Sequence, residues 1–597
     1  MEERMGLLCM RNRIQIGLTA AALIVFAAPA GAPAAVTTAG YRITSDLPSF
    51  PTTPSQGPST FQAGANPNAG SYSVFTYPNA AEDIKTARTN FTAGLLGNPE
   101  SVPKCPEVNL QANTCPAASL IGTSRLDVKF AGAGTPVAGL AGSVYNAEPL
   151  GNEPGRLGVV TPSAGLVSSI PFHITPRGGG DYGLTGTLDD INRLESVAAF
   201  GGANLQVHAL SFILNGATNS YVRNPTSCGL HTNTGEAVGY VDPTVVPGPA
   251  YDFFTTGCET VPLRPTVSFE MGDRGSTAFN KYPPVVVKIT QPAGDSDQRG
   301  NKITLPIELN TNNTAYKTCT QAQADADACP ANSQFGGVVA KSPFLGEELK
   351  GPVYLIQQTG TSLPGLLLDL KGRVHVKLQT ATTLINNKRI QSLILNGPQL
   401  PVSELRVALN GGRTTGVFLN REDLCFRGNS TSKFNDVNSL VKSYGHNGLS
   451  TAEATVEAKV NGCGPAVTGT ITGARSIRPS VKVKVQKHPD SPNFKELTLS
   501  LSNNLSLVES RVNEGVDTSA DASVEYVNRR TLRVFGLPAA GEDAITVTLR
   551  QGAVRVSDRS QILLERGRSR RMSVKVKQTP VSGQATSTRD RFTAKGK

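Results

Sequence analysis

The chain has 597 residues, of which 39% are hydrophobic and 17% are charged. At roughly 150 residues per domain, this length suggests about four domains. The low charged fraction argues against a coiled coil and against a highly charged disordered chain. The 60 glycines and 40 prolines favour many turns over long helices, and the chain contains no tryptophan.

Residues 1–35 have the pattern of a secretory signal peptide. Arg11 and Arg13 precede a mostly apolar run from Ile14 to Ala28, and small-residue cleavage sites follow it. The run is shorter than the roughly 20 residues of a membrane span, so an uncleaved anchor is the less favoured alternative. We therefore expect an extracellular or cell-surface protein with no transmembrane segment beyond the signal peptide.

Eight cysteines remain once Cys9, which precedes the apolar run, is set aside. An even number in an exported chain predicts disulfide bonds. Zinc is the alternative, but two cysteines separated by nine residues do not have zinc-ribbon spacing, and no metal site is predicted. The predicted disulfide cysteines are Cys105, Cys115, Cys228, Cys258, Cys319, Cys329, Cys425 and Cys463.

The cysteines also indicate an internal repeat. Cys319 and Cys329 follow Cys105 and Cys115 by the same 214 residues, and the second cysteine of each pair is followed by Pro-Ala. Matching flanking motifs support two diverged copies of a module of about 200 residues. The repeat favours the pairing 105–115, 228–258, 319–329 and 425–463, although spacing alone does not establish the connectivity.

Short strands dominate the predicted secondary structure of both copies. Leu205–Leu214 is rich in apolar residues and ends at the turn dipeptide Asn215-Gly216, and Leu405–Leu409 is its counterpart. One or two helical turns are expected within residues 320–328. The sequence therefore predicts an all-β protein of tandem β-sandwich-like modules, a first repeat module at 36–275 and a second at 276–465.

A third module is predicted at 466–579, where hydrophobic and polar residues alternate most clearly. Ser480–Val485 and Ser573–Lys577 each place valines on one face and lysines on the other. Six or seven such strands in about 110 residues is the size of an immunoglobulin-like sandwich. Residues 580–597 read as a basic, flexible tail.

Positive charge is concentrated at this end of the chain. The whole chain has 57 basic and 46 acidic residues; 23 and 12 of these lie from residue 466 onward, so residues 1–465 balance at 34 of each. Such asymmetry suggests an anionic partner, such as a cell-envelope polymer, polysaccharide or lipid head group. The alternative is a solvated sheet whose lysines protect its edges. The predicted anion-binding residues are Lys482, Lys484, Arg566, Arg568, Arg570, Arg571, Lys575 and Lys577.

Several short sequence motifs resemble those of a family of uncharacterised exported actinobacterial repeat proteins with paired-cysteine β modules. They include Gly94–Pro99, Cys115–Thr123, Gly142–Asn146 and Asn224–Cys228, and Leu532–Val534 with Gly536–Ala539 resembles the family's C-terminal module. The resemblance implies export and repeated β modules. It implies no activity, ligand or catalytic residue.

No catalytic motif stands out. The chain lacks the Gly-x-Ser-x-Gly, His-Glu-x-x-His and P-loop lysine motifs. Asp295 and Asp297 with Asn301 offer oxygen ligands for Ca²⁺ but lack EF-hand spacing. With no cofactor and no specific nucleic acid expected, the sequence favours a non-catalytic structural or binding protein at the cell surface. The alternative is an extracellular polysaccharide-binding protein or hydrolase whose site is built from distant loops.

Overall fold

The computed structural model describes residues 37–44 and 59–596, except 165, 178–180, 249, 313–316, 361–362, 387–388, 429, 477, 539–541 and 551. The predicted signal peptide at 1–35 and Cys9 lie outside the described residues. Within them the predicted all-β fold is confirmed, because strands fill the chain and the α-helices have eight residues at most. The α-helices are α1 (Glu107–Gln111), α2 (Gly216–Asn219), α3 (Gln321–Asp325), α4 (Val512–Gly515) and α5 (Asp558–Glu565).

The first sheet winds through fourteen strands in the order β1-β3-β12-β6-β7-β8-β9-β10-β4-β14-β16-β2, with β11 paired to β12 and β15 to β14; β5 and β13 form a separate pair. The strands are β1 (Thr37–Thr44), β2 (Ser59–Gln62), β3 (Asn68–Thr76), β4 (Ile84–Asn90), β5 (Leu96–Gly97), β6 (Leu120–Phe130), β7 (Ala138–Ala147), β8 (Arg156–Thr161), β9 (Leu166–Arg177), β10 (Asp181–Leu188), β11 (Leu194–Val197), β12 (Ala203–Asn215), β13 (Val222–Arg223), β14 (Gly229–Gly239), β15 (Val246–Pro247) and β16 (Tyr251–Thr256).

The second sheet has twelve strands in the order β24-β23-β22-β21-β27-β18-β17-β30-β29-β19-β26-β25, and β20 pairs with β28 beside it. The strands are β17 (Thr266–Met271), β18 (Val285–Thr290), β19 (Gln298–Thr304), β20 (Leu309–Thr311), β21 (Gln334–Lys341), β22 (Leu349–Ile356), β23 (Gly365–Leu370), β24 (Val376–Gln379), β25 (Ala381–Ile385), β26 (Arg389–Ile394), β27 (Glu404–Leu409), β28 (Phe418–Asn420), β29 (Asn438–Gly445) and β30 (Ala454–Val460).

The two sheets have matching strand orders. The run β3-β12-β6-β7-β8 in the first sheet corresponds to β18-β27-β21-β22-β23 in the second, and β10-β4-β14-β16 corresponds to β26-β19-β29-β30. In both, the last strand pairs in parallel with an early strand, β16 with β2 and β30 with β17. Two copies of one unit would produce this match.

Each of these sheets folds into two facing layers. The first half of β9 pairs with β8 and its second half with β10, so β9 carries the chain from one layer to the other. In the second sheet the same corner is Thr380, between β24 and β25, and Leu366 forms backbone and side-chain hydrogen bonds with it at 2.8 and 2.9 Å. The apolar side chains therefore converge between layers, as in a β-sandwich.

The C-terminal strands form a separate sandwich. A four-stranded sheet, β31-β32-β38-β35, faces a five-stranded sheet, β36-β37-β33-β40-β41, and β34 pairs with β39. The strands are β31 (Ala466–Thr472), β32 (Ser480–Gln486), β33 (Phe494–Leu501), β34 (Leu505–Leu507), β35 (Val516–Thr518), β36 (Ser523–Asn528), β37 (Thr531–Phe535), β38 (Ala544–Leu549), β39 (Val554–Val556), β40 (Arg570–Pro580) and β41 (Thr586–Ala594).

All eight predicted disulfide cysteines are bonded, in the pairing that the repeat favoured. Cys105–Cys115 encloses α1 and Cys319–Cys329 encloses α3. Cys228–Cys258 and Cys425–Cys463 link more distant segments of the two modules. The helical turn expected within 320–328 is α3, which begins with a capping box formed by Thr320 and Gln323.

Two sequence-based boundaries differ from the structure. Residues 586–594 were assigned to a flexible tail but form β41, whose Thr588, Phe592 and Ala594 face the core. The short alternation in this segment was masked by its polar composition. Residues 266–271 were assigned to the first module, but as β17 they pair with β18 and β30 of the second sheet.

A buried ion pair joins the first two modules. The Nη1 atom of Arg223, on β13, lies 2.8 and 2.9 Å from the two carboxylate oxygens of Asp297, which directly precedes β19. The side chains are 9% and 1% exposed. Burial raises the pKa of Asp297, and the Arg223 guanidinium opposes that rise. A pair this buried is costly to break.

Candidate anion-binding face

The C-terminal hairpin of β40 and β41 carries the densest group of outward-facing cations in the described part of this sandwich. Along β40 the apolar side chains of Met572, Val574 and Val576 enter the core, so every second residue points to solvent. We call the outward side chains of β40 and β41 the cationic face. Its members are Arg571, Lys575, Lys577, Arg589 and Arg591, all exposed.

Strand register places like charges opposite each other on this face. Lys575 lies directly across from Arg589, and Arg591 is two residues farther along β41, opposite Ser573. Side chains opposite one another in an antiparallel pair have Cβ atoms about 4.5–5.5 Å apart, where like charges repel. Among the described residues, no carboxylate forms an ion pair with any of the five cations.

The neighbouring cation on the same sheet is neutralised. Arg533, on β37, donates to Glu496 Oε2 at 2.7 Å and to Glu525 Oε2 at 3.1 Å. The hydrogen bond from Arg533 lowers the pKa of Glu496, and the charge of Lys577 contributes to the same shift. Glu496 and Glu525 are thus paired with Arg533, and among the described residues neither forms an ion pair with a cation of β40 or β41.

Two residues of β41 fix the hairpin against the opposite sheet. Asp590 Oδ2 accepts from the Gly469 backbone N–H at 2.7 Å, and Asp590 Oδ1 accepts from the Thr431 hydroxyl at 3.3 Å. The Phe592 ring packs over Gly469, where an added Cβ would lie 2.5 Å from a ring carbon. Because Asp590 and Phe592 face inward, Arg589 and Arg591 between and beside them must face outward.

The predicted anion-binding residues divide into four places, three of which lie on or beside β40. Arg571, Lys575 and Lys577 belong to the cationic face. Arg566 and Arg568 are exposed in the turn after α5, where Gly567 adopts a φ of 78° and ends the helix. Arg570 is half-buried at the start of β40.

Lys482 and Lys484 lie on the other side of the sandwich. Both are exposed on β32 of the four-stranded sheet, where their cross-strand neighbours are threonines. In sequence these two lysines resemble those of β40, because alternation identifies the outward side of a strand but not which of two sheets holds it. Arg589 and Arg591 were not among the predicted residues, although their i, i+2 spacing is a usable strand signal.

The calcium hypothesis at Asp295, Asp297 and Asn301 does not hold, because arginines occupy both carboxylates. Asp295 Oδ1 lies 2.7 Å from Arg264 Nη2, and Asp297 is paired with Arg223. Asn301 bonds instead to Gln298 and Ser443. These groups fix the module junction.

One other cluster gathers potential metal ligands. Asp327, Asp369 and His375 have ligand atoms within 4.8 Å of one another. Lys377 lies 2.7 Å from Asp327 and Lys371 lies 3.2 Å from Asp369. Because the lysine ammonium groups already neutralise both carboxylates, the cluster is better suited to an ion-pair network than to a cation.

Comparisons with known proteins give no family. No protein-family description and no curated protein matches the chain. Solved structures that match include the Enterococcus faecalis MSCRAMM ACE, described as binding its ligands by the collagen Hug model, at 10% identity over 55% of this chain and 94% of that chain, with a TM-score of 0.16. The C-terminal domain of the Streptococcus pyogenes antigen I/II-family protein AspA matches at 9% identity over 71% and 99%, with a TM-score of 0.16.

The B domain of a biofilm associated protein matches at 9% identity over 54% of this chain and 85% of that chain, again with a TM-score of 0.16. Scores this low carry no argument about this chain, so its fold rests on its own strands and its function on its own residues. Within the described residues, no helix combines the length and the apolar character that crossing a membrane requires.

Proposed function

We propose that this protein is a non-catalytic, exported binding protein that attaches to an anionic cell-envelope polymer through the cationic face. The resemblance to exported actinobacterial repeat proteins and the duplication of the disulfide-braced module belong to the same proposal. Four disulfides support an oxidising location outside the cytoplasm.

The observation that carries the proposal is the opposition of Lys575 and Arg589 without a carboxylate partner. Like charges across an antiparallel pair cost stability, so folding alone gives no reason to keep them. Edge protection accounts for cations on β41, the edge strand of its sheet, but not for those on β40, which is paired on both sides. A bound polyanion would neutralise both strands at once.

The chain offers a matched pair of variants to test this. Lys575→Glu/Lys577→Glu changes two lysines at i, i+2 on the cationic face, and Lys482→Glu/Lys484→Glu makes the same change on the opposite sheet. Both alter net charge equally. Binding to immobilised inorganic polyphosphate is measured as a function of salt concentration, because each lost phosphate contact reduces the salt slope by about 0.7 for a flexible single strand.

We expect the β40 variant to lose at least two contacts, about 1.4 in slope, and the β32 variant to keep the slope of the unchanged protein. The single variant Lys575→Glu should also be no less stable to heat, since the change replaces repulsion of Arg589 by attraction. Equal losses in both variants would show that net charge alone drives binding, and the proposal would fail. Salt-releasable association with isolated cell envelopes is the second readout.

The alternative, an enzyme or sugar-binding protein with a site built from distant loops, would show itself as turnover or retention on a panel of neutral polysaccharides and esters. The lysine-neutralised Asp369–His375 pair is the part of the described structure nearest to such a site. We give it no catalytic role.

A further inference from the structure

Three apolar cavities lie in a row through the first two modules. The first chamber lies between the layers of the first module, where its walls include Thr89, Leu210 and Phe212. The second chamber occupies the interior of the second module, beside Leu366 and Val407. The junction chamber lies between the two modules. The cavity volumes are about 130 Å³ for the first chamber, 90 Å³ for the second chamber and 120 Å³ for the junction chamber.

Adjacent chambers share their walls. Leu184 and Tyr221 line both the first chamber and the junction chamber. Ile289, Ile394 and Leu405 line both the junction chamber and the second chamber. Neighbouring chambers therefore lie on either side of the same residues, and a flexible ligand can extend from the junction into either module where these side chains move.

The chamber walls are incompletely packed. Leu210 and Phe212 on β12 and Val407 on β27 point inward but are only half-buried. In the C-terminal sandwich, the equivalent alternation on β32 leaves Val481 and Val483 fully buried. Protein interiors normally pack as densely as organic crystals, and an apolar cavity can take up an apolar molecule. An apolar occupant is the simplest way to complete these two cores.

The junction chamber adds two unsatisfied polar atoms. Gln291 Oε1 and Gln298 Nε2 are buried without a hydrogen-bond partner in the described structure, and both residues line this chamber. Buried polar groups are normally hydrogen-bonded. An acceptor and a donor left open in an otherwise apolar space suit a head group with a hydroxyl and an ester oxygen. Exposed Lys341 also lines this chamber, which places an opening to solvent there.

We propose that the two modules bind one lipid with two long hydrocarbon chains. One chain lies in each module chamber and the head group lies in the junction chamber against Gln291 and Gln298. This goes beyond attachment through the cationic face and does not depend on it. A peptide fits poorly, because the chamber walls are sheet faces whose backbone is already paired and would leave a peptide's backbone groups unsatisfied.

The test uses the disulfide-intact full chain and vesicles of zwitterionic dioleoylphosphatidylcholine that contain a small fraction of dioleoylglycerol. Neutral vesicles keep the cationic face out of the measurement. The chain is separated from vesicles by size exclusion, and bound lipid is counted by mass spectrometry. We expect one two-chain lipid per protein, and two molecules in a parallel arm with oleic acid.

Each module offers a matched pair of variants. Thr89→Phe puts a ring into the first chamber, and Arg88→Phe puts the same ring on the outer face of β4. Val407→Phe and Arg406→Phe do the same for the second chamber on β27. A ring that displaces about three methylenes should weaken lipid binding about 60-fold, at about fourfold per methylene.

Thermal melts verify that each variant is folded. Lipid loss in both chamber variants with retention in both outer-face variants supports the proposal. Equal loss in chamber and outer-face variants, or an unchanged protein that carries no lipid above background, overturns it. If a chamber variant does not fold, the stoichiometry of the unchanged protein still decides, since retention of only one hydrocarbon chain per protein contradicts a two-chain site.

Discussion

Replacing Arg223 by leucine should loosen the junction between the first two modules. The change leaves the Asp297 carboxylate 1% exposed without its partner. Breaking a buried ion pair by removing one member costs about 3–5 kcal/mol. Because burial alone already raises the pKa of Asp297, the variant carboxyl should hold its proton to higher pH, and the penalty should shrink as the pH falls.

Hydrogen exchange is the appropriate assay, because three modules do not unfold as one two-state unit. A cost of about 3 kcal/mol corresponds to exchange about 100-fold faster in peptides that cover residues 219–226 and 295–301. Lys302→Met is the control. It removes from β19 a partly exposed lysine whose Nζ lies 2.9 Å from Glu453 Oε2, and surface pairs contribute about 0–1 kcal/mol.

The double variant Arg223→Leu/Asp297→Leu separates the ion pair from simple packing. Apolar replacement of both members of a buried pair is often neutral, so the double variant should exchange more slowly than the single one. Two results would refute the role of this ion pair in holding the junction together. One is a single variant that exchanges no faster than the unchanged protein, and the other is a double variant that exchanges as fast as the single one.

Buried or closely packed groups give three further predictions. Burial raises the pKa of Asp83 to about 6, so between about pH 4 and pH 6 the folded state holds a proton that the unfolded state has lost. The stability from this group is present in full below about pH 4 and is lost as the pH rises through 6, so between about pH 3 and pH 7 the unchanged protein should lose about 3 kcal/mol relative to Asp83→Asn, measured as denaturation of the first module. Gly469→Ala should clash with Phe592, cost about 1–3 kcal/mol and weaken polyphosphate binding without removing a charge, and unaltered binding would contradict the role given to β41. Cys319→Ala/Cys329→Ala should destabilise the α3 loop by about 3 kcal/mol, seen as faster exchange confined to residues 317–333, and exchange that spreads through the whole second sheet would contradict a local role.

Alternation and cysteine spacing predicted the architecture well. Val481–Val485 and Val574–Val576 identified strands because a half-buried strand has a period of two, and the repeated cysteine spacing gave the correct bonding partners. These signals are local or covalent. They carry no information on which strands become neighbours across a sandwich.

The features that the sequence did not predict depend on which strands pair in the folded protein. Lys482 and Lys575 look alike in sequence but lie on opposite sheets, and the opposition of Lys575 and Arg589 exists only through the β40–β41 register. The chambers could not be predicted from the sequence either. Leu210 and Val407 face inward and have the pattern of an ordinary core strand, whether or not anything fills the space beside them.

The attachment of Asp590 to Thr431 has a mechanical consequence. Thr431 lies inside the loop closed by Cys425–Cys463, and its carbonyl also accepts from the Val467 backbone at 2.9 Å. If a polymer bound at Arg589 and Arg591 pulls on β41, the hydrogen bond between Asp590 and Thr431 therefore transmits that force to a covalently closed loop of the second module. That loop cannot extend unless a sulfur–sulfur bond breaks, so under oxidising conditions the hairpin should peel from its own sheet before the second module begins to stretch.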